Sequence, residues 1–137
     1  MKLLKVSALA VTAAVALSAC GGGRNGGPVS PARPSTKAKL SILEPRNGQV
    51  IHGSTVHLSL RLAGARIVIP TTTHIVPTQG HIHVYLDNRI VSMNYRPTGV
   101  IRNVKPGNHL LQAEFVASDH LPWNPRVIQA VTFEVKR

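Results

Sequence analysis

Beyond residue 38 the chain alternates apolar and polar positions with a period of two, and no stripe at helical spacing runs through it. Val56, Leu58, Leu60 and Leu62 are separated by His57, Ser59 and Arg61. Ile82, Val84 and Leu86 alternate with His81, His83, Tyr85 and Asp87. Leu111, Ala113 and Phe115 oppose Gln112 and Glu114, and Val131, Phe133 and Val135 oppose Thr132 and Glu134. Each run predicts a strand with one face turned to a core. Weaker patterns predict strands at residues 40–43, 66–69, 89–95 and 100–104. Turn residues punctuate them at Pro45 to Gly48, Asp87-Asn88, Pro106 to Asn108 and a loop from Pro122 to Pro125. Short strands at this spacing, in about one hundred residues, predict an all-β antiparallel sandwich of about seven to eight strands over residues 38–137.

The N-terminus follows a different pattern. Lys2 and Lys5 precede an apolar run from Val6 to Leu17 that is too short to serve as a permanent membrane span. The run ends Leu17-Ser18-Ala19-Cys20, followed by three glycines. This resembles the lipobox of bacterial lipoproteins. The resemblance implies a signal peptide over residues 1–19, cleavage before Cys20, and acylation of Cys20. Two or three acyl chains hold a protein on a membrane far more firmly than one. Cys20 is the single cysteine, so no intramolecular disulfide competes for it. From Gly21 to Lys37 the sequence GGGRNGGPVSPARPSTK has no face to bury, which predicts a disordered tether over residues 20–37. Such a tether holds the domain about 20–25 Å from its anchor on average. The expected location is the extracytoplasmic side of the cell membrane or the outer membrane.

Sixteen Lys and Arg stand against five Asp and Glu. Outside the cytoplasm, that excess favours lipid head groups or anionic envelope polymers as partners. Aromatic residues are too few for a base-stacking platform, so no nucleic acid is expected. No motif names a protein partner.

Two stretches carry a second resemblance. EPRNGQVIHGSTVHLSLRL and VKPGNHLLQAEF look like early and penultimate strands of bacterial immunoglobulin-like domains. The layout GHIHVYLD, PGNHLLQAEF, Asp119-His120 and a last strand is similar to small bacterial extracytoplasmic domains of unknown function. That implies an immunoglobulin-like sandwich and leaves the activity open.

The candidate chemistry lies in GHIHVYLD. If Ile82 and Val84 face the core, His81 and His83 share the other face, which predicts a solvent-facing pair about 6.5–7 Å apart. In an immunoglobulin-like sheet the strand holding them lies antiparallel to the one ending at Ser118, which brings Asp119 and His120 to the same end. His74 enters that end from the preceding segment, with Trp123 beside it. His52 and His109 belong to the opposite end, and His57 faces outward. His81, His83, His120 and His74 are thus candidate ligands for copper or zinc. The competing reading is local: polar residues on a wet face, with Asp119-His120 capping a turn. GHIHVYLD is also similar to the paired-histidine strand of copper–zinc superoxide dismutases, but the second cysteine and the histidine-rich loop of that family are missing. Ser118, Asp119 and His120 are consecutive and cannot form a triad on extended chain. Glu44, Glu114 and Glu134 show no pairing as catalytic carboxylates. A non-enzymatic binding or structural module is therefore expected, with a metal-binding lipoprotein as the alternative.

Overall fold

The computed structural model describes residues 32–94 and 96–137. The expected signal peptide, Cys20 and the tether as far as residue 31 lie outside the described residues. Nine strands are formed among the described residues: β1 (Lys39–Glu44), β2 (Gln49–His52), β3 (Val56–Ala63), β4 (Arg66–Ile67), β5 (Gln79–Leu86), β6 (Arg89–Asn94), β7 (Thr98–Ile101), β8 (Gly107–Ala117) and β9 (Pro122–Lys136). They make two sheets. One has the order β1-β3-β7; the other runs β2-β9-β8-β5-β4, with β6 also pairing β5. The protein is an all-β sandwich.

The alternation assigns the faces as expected. Val56, Leu58 and Leu60 of β3 pack against Ile82 and Val84 of β5 and Leu111, Ala113 and Phe115 of β8. Burying each of the larger of these side chains contributes about 1.5–3 kcal/mol. Trp123 completes the core at one end, stacked on Phe115 with ring centroids 6.0 Å apart.

Four expectations need correction. β2 was not expected: its four residues are mostly exposed and carry no clear alternation, yet they pair in parallel with β9 from Gln49↔Phe133 to His52↔Lys136. The strand expected at residues 66–69 is only two residues long, and that expected at 100–104 is shifted to Thr98–Ile101. The loop expected at Pro122 to Pro125 is instead the start of β9. There the ladder jumps from Phe115↔Val127 to Val116↔Pro122, and the extra residues bulge. The bulge drives Trp123 into the core and brings Arg126 to Glu114.

Residues 33–36, expected within the tether, are bound to the sandwich. Arg33 donates from Nε to the Pro122 carbonyl at 3.0 Å and grips the Asp119 carboxylate at 2.6 and 3.0 Å. Asn124 N–H donates to the Pro34 carbonyl at 3.0 Å, and the Thr36 hydroxyl donates to Pro77. Composition could not show this, because the partners of Arg33 lie 86 to 89 positions away.

Candidate functional site

β5 and β8 run side by side, with Gly80 opposite Ala117 and His81 opposite Val116. The end of β8 thus lies beside the start of the histidine strand. The chain then turns through residues 118–121, where His120 adopts a left-handed backbone with φ of 63°. This turn folds back over the outer face of the sheet. Thr72 N–H bonds the Ser118 carbonyl at 3.1 Å, tying in the segment that follows β4.

His81 and His83 do share the face opposite Ile82 and Val84, but it is not a wet face. His81 is 0 % exposed and His83 6 %. The expectation of a solvent-facing pair is corrected here: period two fixes which side a residue takes, not what covers that side. The cover is His120. Its ring lies over His81 with centroids 4.4 Å apart and planes 24° apart. It meets His83 end-on: Nε2 of His83 and Nδ1 of His120 are 3.1 Å apart, with ring centroids 5.3 Å apart. The centroid separation exceeds the nitrogen separation by nearly the two ring radii, so the nitrogens face each other along one line. On its far side, Nε2 of His120 bonds the Thr71 hydroxyl at 2.8 Å. Burial lowers the His83 pKa from its ordinary value. Neighbouring His120 and His81 add to that, against the opposing pull of Glu114. These influences favour the neutral form of the His83 ring.

Of the four candidate ligands, the fold gathers three. His74 is exposed, and its backbone N–H bonds the Thr72 hydroxyl at 3.1 Å. Among the described residues, no set of three or more His, Cys, Asp or Glu side chains is arranged to enclose an ion. Asp119 lies beside the stack but is engaged by Arg33, which holds its carboxyl below the usual range, with burial opposing. One Asp119 oxygen also accepts from Leu121 N–H at 3.1 Å.

The same face carries a second polar group. Glu114 stands opposite His83 across the ladder, is 2 % exposed, and receives both Nε and Nη2 of Arg126 at 2.7 and 2.6 Å. Glu114, which showed no pairing in the sequence, is thus fully engaged. Burial and the Glu114 carboxylate push the Tyr85 hydroxyl up, while Arg126 pulls it down. Glu114 shares parity with Gln112 on the outward side of β8, and that signal placed it on this face. Arg126 sits on the bulge and gave no signal. Nor did Thr71, which lies outside any strand.

At the opposite pole, His109 bonds Asp87 through Nδ1 at 2.8 Å and the Lys105 carbonyl through Nε2 at 2.7 Å. Its ring packs against Phe133 with centroids 5.4 Å apart. His109 thus tucks under the sheet end, away from the stack.

No family model matches the chain, and no curated protein does. Among solved structures it is similar to fibronectin(III)-like modules of Clostridium thermocellum CbhA, at 20% identity, over 71% of this chain and 94% of that one, with a TM-score of 0.49. It is also similar to an endo-β-1,4-mannanase from Thermotoga petrophila, at 12% identity, over 74% of this chain and 20% of that one, with a TM-score of 0.47. A third is a quinonprotein alcohol dehydrogenase-like protein from Bacteroides thetaiotaomicron, at 14% identity, over 72% and 20% of the two chains, with a TM-score of 0.45. The chain spans a fifth of the length of the latter two.

Proposed function

We propose that the protein is a lipid-anchored, non-enzymatic module of the cell envelope, held with its histidine pole toward the membrane. The Leu17-Ser18-Ala19-Cys20 motif supports the anchor, and the Arg33 clamp supports the orientation. Arg33 is fixed to Asp119, Leu121 and Pro122 at the His120 turn. Twelve residues separate it from Cys20. Fully extended, that length reaches at most about 45 Å, and as a coil it averages about 20 Å. An acylated Cys20 would therefore keep the stack near the lipid surface, and the cationic excess of the chain would favour anionic head groups or polymers there.

The test is fractionation of cells making the full chain, with labelled palmitate. The wild type is expected in the membrane fraction, carrying label, and Cys20→Ser in the soluble fraction without it. Arg33→Ala should stay anchored but become cleavable by protease within residues 33–37. Membrane retention of Cys20→Ser at the wild-type level, or an unlabelled wild type, would contradict the anchor.

A second reading adds metal uptake at the same pole. It is favoured by one observation, the two facing nitrogens of His83 and His120 at 3.1 Å.

A further inference from the structure

We propose that His83 and His120, with Met93 as third donor, form a site for copper(I). This rests on the metal-uptake reading and narrows it to one class of ion.

Geometry argues first. Zinc prefers four ligands in a tetrahedron, so two imidazoles sharing it must point at an angle to each other. Here the nitrogens point head-on across a hydrogen bond, an alignment that also suits two ligands on an ion that accepts near-linear coordination, as copper(I) does. Two metal–nitrogen bonds of about 2 Å in line span about 4 Å, so the present 3.1 Å gap must widen by roughly 1 Å. His120 rides on the 118–121 turn and is half-buried, so it is the ring that can give way. His81 beneath it is the shelf that keeps the ring aligned.

Protons can rearrange without leaving. Each neutral ring holds one proton, and ligation requires it on the nitrogen remote from the ion. For His120 that is Nε2, facing the Thr71 hydroxyl, which can accept as readily as donate.

Met93 supplies the selectivity. It stands directly opposite His83 on β6, where paired residues have Cβ atoms about 4.5–5.5 Å apart on one face. It is 49 % exposed, so its unbranched thioether has room to turn toward the pair. A thioether beside imidazoles suits copper(I) and is a poor ligand for zinc. The carboxylate opposite His83 on β8 is withheld: both oxygens of Glu114 are bound by Arg126.

The experiment titrates the full chain, purified from membranes, with copper(I) under anaerobic conditions against a colorimetric copper(I) chelator, and separately with zinc. A Cys20→Ser chain runs in parallel, so that no thiol can supply the binding. One equivalent of copper(I) is expected in both. X-ray absorption should show nitrogen and one sulfur around the metal. His120→Asn, which tolerates the left-handed backbone, should abolish uptake. Met93→Leu, a change at an exposed position, should weaken affinity by about tenfold or more and remove the sulfur signal. Copper(I) affinity unchanged in either variant overturns the site. Zinc bound at His83 and His120 in preference to copper(I) overturns this inference and leaves the metal-uptake reading standing. Binding of neither ion removes both.

Discussion

A Cβ built on Gly80 would lie 2.0 Å from the Val116 carbonyl oxygen and 3.0 Å from two Phe115 ring carbons. The glycine that opens GHIHVYLD is therefore what lets the histidine strand approach β8 closely, next to the residue that must stack. Gly80→Ala should destabilise the protein by about 3 kcal/mol or more, read as a lower urea midpoint, because backbone rather than a flexible side chain blocks the methyl. An unchanged midpoint would mean that the two strands are not this close. The side taken by His81 and His83 was legible in the sequence, because Ile82 and Val84 claim the core. Their burial was not. It depends on His120 and Thr71, whose positions are set by turns rather than by any repeat.

At the scale of elements, the legible part was the pairing of β5 with β8, from which Asp119 and His120 were expected near His81. β2 and the start of β9 were not legible. The first has too few residues for a pattern, and the second carries Pro122 and Pro125, which read as a loop. The hairpin turn at Asp87-Asn88 was legible, with φ of 50° and 65° at its two residues. It does more than reverse the chain. Asp87 ties the turn to β8 through His109 and through Leu110 N–H at 3.0 Å. Burial lowers the His109 pKa, but Asp87 and the Lys105 carbonyl outweigh it, and the net effect is a rise. Both His109 ring nitrogens face acceptors, which only the protonated ring satisfies. A raised folded-state pKa stabilises fully below the unfolded value near 6.5, and the contribution is lost as pH rises through the folded value. Thermal melting should therefore show the wild type losing more stability than His109→Gln between about pH 6 and about pH 8. Parallel pH profiles would contradict the tie.

The described residues form a sandwich whose six-stranded sheet is buried on both faces at one end and strapped there by residues 33–37. Charge and the Cys20 motif argued for a membrane-side life from the sequence alone; the strap that would turn one pole toward the membrane appeared only in three dimensions. The histidine site depends on the His120 turn closing over the β5 histidines. The most direct measurement is nitrogen–nitrogen scalar coupling across the hydrogen bond between His83 Nε2 and His120 Nδ1, in nitrogen-15-labelled full chain at neutral pH. A resolved coupling that vanishes in His120→Asn is the expected result. No coupling, with His83 titrating like a solvent-exposed imidazole, would show that the turn stands open and the site is not built.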